Sequence, residues 1–259
     1  MTALADMVWI EVRKALRSRV PLFTGTMSLF MPLGVAFLIF VARNPEISRK
    51  LGLISVKADL LAYSATDWAA YMRLSSMIAA AGAFFLFVLV VSWVFGREFS
   101  DGTLKDMLAV PVPRATIVLA KFIVVAVWSA VLSVIMLAIG LLMGAIIRLP
   151  GGSALAILQG SGLVLLTACL SIASVAPFAF FASVGRGYLL PVGIAVLALI
   201  TANIVALAGW GEYFPWAVPG MLAQGEISLT AASYVVVVLT ALAGMLATYY
   251  WWMHADQNR

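Results

Sequence analysis

Six apolar stretches, each long enough to cross a bilayer as a helix, constrain this chain more than any other feature. A hydrocarbon core about 30 Å thick takes ~20 apolar residues of helix, and residues 21–41, 74–95, 122–147, 155–183, 188–207 and 231–252 meet that length. Lipid offers no hydrogen bonds, so each stretch must satisfy its backbone internally, as helices do. With 64% hydrophobic and 10% charged residues, the chain lies far from the roughly 25% charge of soluble domains. The expectation is an all-α integral membrane protein with six transmembrane helices. The connecting segments are too short for a second soluble domain, so residues 1–259 form one domain.

Ahead of the first stretch, residues 4–19 are amphipathic, with Leu4, Met7, Val8, Trp9, Val12, Ala15 and Leu16 on one side and Glu11, Arg13, Lys14 and Arg17 largely on the other. Such a helix lies on a membrane surface, with Trp9 at headgroup level and its basic residues toward anionic lipid or a partner. A plain positively charged flank explains the same residues equally well. No small-residue cleavage pattern follows, so the first span reads as a retained anchor.

Net charge is +5, and in a membrane protein the first cause of such a bias is the excess of Lys and Arg on cytoplasmic loops, not nucleic-acid binding. With both termini inside, the cytoplasmic set is Arg13, Lys14, Arg17, Arg19, Arg97, Lys105, Arg114, Lys121, Arg186 and Arg259. Arg43, Arg49, Lys50, Lys57 and Arg73 fall outside, in a loop shared with Glu46, Asp59 and Asp67. That loop opens at Asn44-Pro45 and ends in a helix-compatible segment at 66–72. Arg148 through Gly152 predicts a tight outer turn, and Pro177 predicts a kink in the fourth span. The aromatic stretch 209–220, which contains Tyr213-Phe214-Pro215-Trp216, fits either a re-entrant excursion or an ordinary interfacial belt.

The chain carries no GxxxxGK[ST] phosphate cradle, so any ATP used must be bound elsewhere. Its single histidine, His254, and single cysteine, Cys169, exclude bis-histidine haem ligation, HExxH zinc chemistry and an internal disulfide; Cys169 reads as a packing residue. No carboxylate, lysine or arginine is expected deep within a span, which argues against proton-driven transport and membrane-embedded catalysis. A channel, a scaffold subunit or a permease powered from outside remain.

Between the second and third stretches lies a polar insert, residues 96–114. Asp101-Gly102 forms a turn, Thr103 is placed as an N-cap, and Leu104, Met107 and Leu108 share one face, before Pro111 and Pro113 end the helix after about two turns. A helix this short is unstable alone, so its apolar face must dock on membrane, on its own bundle or in a groove of a partner.

The run Arg97-Glu98-Phe99, then Asp101-Gly102-Thr103-Leu104-Lys105, Leu108, Pro111-Val112 and Arg114, with Lys121-Phe122 opening the next span, closely resembles the ABC-2 type permeases, the membrane subunits of ATP-binding-cassette exporters. Trp9, Glu11, Lys14 and Arg17 then resemble that family's elbow helix at residues 1–20. The resemblance implies a coupling helix formed by Arg97, Glu98, Phe99, Gly102, Thr103, Leu104, Lys105, Met107 and Leu108, with Pro111 and Arg114 setting the exit into the third span. It implies a separate ABC ATPase subunit that binds ATP and Mg, a second permease chain forming a homodimer, and a path lined by the second and fifth spans, where Ser92, Thr201 and Asn203 stand. No cofactor is expected in the chain itself, and its location is the cytoplasmic membrane.

Overall fold

The computed structural model describes residues 3–43, 67–225 and 229–254. Asn44-Pro45, Glu46, Arg49, Lys50, Lys57, Asp59 and Arg259 therefore lie outside the described residues. Within them the chain is helical: α1 (Ala3–Arg17), α2 (Val20–Arg43), α3 (Trp68–Ile78), a π-helical turn (Ala79–Ala83), α4 (Phe84–Ser100), α5 (Leu104–Leu108), α6 (Arg114–Ile146), α7 (Ala154–Ser174), α8 (Ala176–Val184), α9 (Leu189–Leu207), α10 (Val218–Gln224) and α11 (Ala231–His254). Six units are long and apolar enough to cross a membrane: α2, α3 through α4, α6, α7 through α8, α9 and α11.

Two of these overrun the expected boundaries. The second spanning unit covers Trp68–Ser100 and the third Arg114–Ile146, 33 residues each. At 1.5 Å per residue each reaches about 50 Å, well beyond a hydrocarbon core of about 30 Å. Gly96 through Ser100, expected in the insert, instead complete α4, and Lys121, expected near the surface, lies within α6. The insert proper is residues 101–113.

Local chemistry explains the other boundaries. Asp67 caps α3 by accepting from the Ala70 amide at 2.8 Å, and Ser153 caps α7 through Ala156 at 3.1 Å. The turn between α6 and α7 uses positive φ at Arg148 and Gly151, and its Pro150 carbonyl accepts from the Trp68 amide at 3.1 Å. Pro177 does break the fourth span: α7 stops at Ser174 and α8 restarts at Ala176. α11 closes on this break, with Gly244 lying where any Cβ would meet Pro177 backbone atoms at 2.5 Å.

The buried core runs along α4 through Phe84, Phe87, Val91 and Phe95, with α6 and α8 against it. Ser76 and Thr167 hydroxyls bond at 2.8 Å between α3 and α7, and the Tyr71 hydroxyl donates to the Gly140 carbonyl at 2.7 Å. Cys169, expected to pack inside, is exposed, on an outward-facing position of α7.

The aromatic stretch 209–220 folds back into the bundle. The Trp216 indole donates to the Ser174 carbonyl at 3.1 Å and its ring meets Phe178 edge-on, beside the break in the fourth span. Val218 and Ala223 of α10 are fully buried, and at the end of α10 Gly225, at φ +75°, faces Arg73 near the start of α3. Residues 209–224 thus pack into the bundle, against the break in the fourth span, instead of lying wholly on its surface.

Because the Pro177 atoms facing Gly244 are backbone and ring, they cannot swing away. Gly244→Val is expected to cost about 1–3 kcal/mol by overpacking, read as a lowered thermal midpoint in detergent. An unchanged midpoint would contradict this packing.

Candidate coupling site

α1, the insert, the α8–α9 turn and the end of α11 gather at one end of the bundle. Gly102 sits at φ +69° in the expected Asp101-Gly102 turn, and α5 follows with Thr103 in the N-cap position. The Thr103 side chain makes no capping bond, and α5 is five residues long, shorter than the two turns expected. Leu104 and Met107 are buried in the main core cluster alongside Met7 of α1. Of the three docking surfaces open to the apolar face of α5, the chain's own bundle is the one it occupies. What faces away is a different set: Asp101, Gly102, Thr103, Lys105, Asp106, Ala109, Val110 and Pro111 are exposed.

Beneath α5 lies a cluster of buried charges. Lys121 is fully buried and its ammonium donates to Glu98 Oε1 at 2.8 Å, to Glu11 Oε2 at 3.2 Å and to the Val94 carbonyl at 2.7 Å. Lys14 donates to Glu11 Oε1 at 2.7 Å and Glu98 Oε1 at 3.2 Å, and its ammonium lies 3.9 Å from Met107 Sδ. Two cations and two carboxylates thus balance, and they tie α1, α4 and α6 into one unit. Charges this deep persist only when paired.

Burial works against the Lys14 ammonium, but the Glu11 carboxylate, with Glu98 behind it, outweighs that penalty and raises the Lys14 pKa above the ordinary lysine value. A raised lysine pKa contributes stability that is present below the unfolded value of 10.5 and is lost only as pH rises through the folded one. Lys14 therefore holds its proton, and its bonds, throughout the neutral range.

Arg97 extends the unit outward. Its Nε bonds Asp101 Oδ2 at 3.0 Å, its Nη1 reaches the Lys14 carbonyl at 3.4 Å, and its guanidinium lies 4.9 Å from the Trp93 ring centroid. Phe99 points instead at Trp251 and Trp252 of α11. Arg114, at the start of α6, donates to the Trp252 carbonyl at 3.2 Å, a cation placed at the negative end of α11. The Trp252 indole in turn donates to Ser183 at 3.0 Å.

These positions revise several expectations. Glu98 and Phe99, assigned to the contact with a partner, point inward. Glu11, assigned to the polar side of α1, belongs to its buried stripe with Met7 and Ala15, four residues apart. Trp9 is exposed, Lys14 half-buried and Arg17 exposed, so the elbow residues divide between two faces. Lys121, which the sequence placed at the rim, is the centre of the cluster. The spacing of Glu11, four residues from Met7 and from Ala15, marks Glu11 as inward-facing, whereas no spacing marked Lys121.

The three candidate path residues are not brought together. Ser92 is buried inside α4 with no hydrogen-bond partner among the described residues. Thr201 is exposed on α9, and the Asn203 amide donates to its own helix at the Leu199 carbonyl, 2.8 Å away. Asn203 alone lines a groove of about 230 Å³ between the π turn, α9 and α10, together with Ala81, Trp216 and Gln224.

Removing one member of a buried ion cluster leaves its partners uncompensated, at a cost of about 3–5 kcal/mol. Lys121→Met is expected to destabilise the protein by that amount, and adding Glu11→Gln and Glu98→Gln to recover part of it. Unfolding of the single and combined variants in detergent measures this; strictly additive losses would show that the four side chains act independently.

A family model described as ABC-2 family transporter protein matches residues 7–203. The bacitracin transport permease protein BCRB of Bacillus licheniformis is 24% identical over 174 residues, which cover 66% of this chain and 84% of that protein. The matched region takes in most of α1, the charge cluster, the insert, the first four spans and most of the fifth. The chain belongs to the ABC-2 transporter family and is a membrane subunit of an ABC transporter.

Proposed function

We propose that this subunit moves a hydrophobic or amphipathic substrate out across the cytoplasmic membrane, driven by ATP that a separate ABC ATPase subunit binds with Mg and hydrolyses. The observation that carries this reading is the insert's two-sided construction. Leu104 and Met107 root it in the bundle, while Lys105, Asp106 and Val110 stand exposed on the opposite side. A helix of five residues has no stability of its own. Rooted on a paired charge cluster that joins α1, α4 and α6, it transmits displacement to two spans at once.

In this reading both termini are cytoplasmic, since the ATPase must meet the end that carries the insert. Arg13, Arg17, Arg19, Arg97, Lys105, Arg114 and Arg186 share that end, as the bias of cytoplasmic loops requires. Nucleotide binding pushes the insert, α4 moves with it, and the π turn at Ala79–Ala83 is the place where the second span yields; π turns inside helices are frequent at functional sites. Two features of α9 favour a second, identical permease chain. It is the least buried of the spans, and Thr201 and Asn203 stand exposed on it, on different faces. The relative's name points to bacitracin as the kind of cargo such a groove accepts, and a lining that mixes Asn203 and Gln224 with apolar side chains suits an amphipathic molecule.

The docking face is tested by Lys105→Glu with Asp106→Arg, and separately by Val110→Asp, in the subunit reconstituted in nanodiscs with its cognate ATPase. Loss of an interface anchor of 1.4 kcal/mol or more weakens binding about tenfold, so co-purification and ATP hydrolysis stimulated by the subunit should fall by at least that factor while the fold is kept. Leu104→Asp with Met107→Asp is expected to unseat the insert itself and lower the thermal midpoint. Unchanged hydrolysis in the face variants, with substrate flux in the absence of the ATPase, would instead identify a passive channel.

A further inference from the structure

An apolar cleft of about 370 Å³ opens at the same end of the bundle, walled by α1, the first turns of α2 and one face of α6. Its lining includes Val12 and Leu16 of α1, Gly25 of α2 and Val127, Trp128 and Val131 of α6. This cleft is concave and walled on three sides, with exposed Leu16, Val127 and Val131 along it. Space is left at its floor: a Cβ added at Gly25 would meet no atom within 4 Å.

Three cations flank this lining along the chain: Arg13 follows Val12, Arg17 follows Leu16, and Arg19 lies two residues before Pro21. Arg13 and Arg17 lie one turn apart on α1, and Arg19 occupies the break between α1 and α2; all three are exposed. Their guanidinium groups make no hydrogen bond or ion pair among the described residues, in contrast to the ammonium groups of Lys14 and Lys121. The charge cluster, being balanced, does not offset them. Long basic side chains at the edge of an apolar surface reach toward headgroup phosphates while their stems stay in hydrocarbon.

We propose that this cleft is a binding site for one anionic glycerophospholipid, whose acyl chain lies against Val12, Gly25 and Val127 and whose phosphate is held by Arg13, Arg17 and Arg19. A second copy of the chain would need a carboxylate-bearing face to match three unpaired arginines, and the membrane already supplies the anion at this depth. The lipid would wedge α1 against α6, beside the Glu11–Lys121 pair, and so stiffen the joint between elbow and span.

The test is native mass spectrometry of the full chain released from nanodiscs made of phosphatidylglycerol and phosphatidylcholine in equal amounts. The wild-type chain should retain phosphatidylglycerol over phosphatidylcholine by at least tenfold, given about fivefold per basic residue near an anionic surface. Arg13→Gln, Arg17→Gln and Arg19→Gln together should abolish the preference while a lipid is still retained. Gly25→Phe, which fills open space and leaves the charges in place, should displace the retained lipid with no loss of thermal midpoint. Equal retention of the two lipids by the wild type would overturn the proposal, as would a Gly25→Phe variant that keeps its lipid. A Gly25→Phe variant that changes from dimer to monomer would assign the cleft to a second chain.

Discussion

Lys121 is the point on which the cytoplasm-facing half of the proposed mechanism depends. A lysine with no exposed surface is tolerable only because Glu98, Glu11 and the Val94 carbonyl surround its ammonium. Each partner comes from a different part of the sequence: Glu11 lies 110 residues away and Glu98 23 residues away. The cluster thereby fixes α1 against α4 and α6 more firmly than apolar packing alone, which would let helices slide along their axes. α5 rests on this platform through Met107 and Leu104, and Arg97 clips the insert's first residue to the same unit. A force applied to the exposed side of the insert therefore meets a rigid lever, whose far end is the second span.

The opposite half of the bundle is built for the reverse property. The second span passes through a π turn of small residues at Ala79–Ala83, the fourth breaks at Val175 before Pro177, and α10 packs back among them. Trp216, two residues ahead of α10, bonds the break at the Ser174 carbonyl, where α7 ends. Asn203 and Gln224 face the groove that these irregularities enclose. Irregular backbone within a membrane is tolerated where protein or a cavity surrounds it, and here it coincides with the groove at Asn203.

The six spans and the position of the insert were legible in the sequence because apolar length is a strong signal. So was the turn at Gly102, where a positive φ favours glycine, and the break at Pro177. The insert's docking face was not, since periodicity shows that Leu104 and Met107 share a side but not what covers it. Nor was the charge cluster. Glu98 and Lys121 each read as residues at the edge of an apolar run, and hydropathy cannot tell a helix that ends at the membrane surface from one that runs on for two more turns with its charges paired inside. Only the overrun of both 33-residue units, together with Glu11 in the stripe of Met7 and Ala15, brings the four side chains to one place. The path candidates divide between faces for a related reason. Ser92 belongs to the same polar-within-apolar class as Asn203, but its face of α4 is turned into the core.

If elbow, insert and the ends of the second and third spans move as one body, the distance between the insert and α1 within one chain stays fixed while the transporter works. Double electron–electron resonance between labels at Ala109→Cys, exposed at the end of the insert helix, and Arg13→Cys, in a Cys169→Ser background mixed with excess unlabelled chain, measures it directly. The account predicts the same narrow distance distribution in the nucleotide-free and ATP-trapped complexes. A shifted or broadened distribution on ATP binding would show that the insert moves independently of the charge cluster, and would contradict the lever.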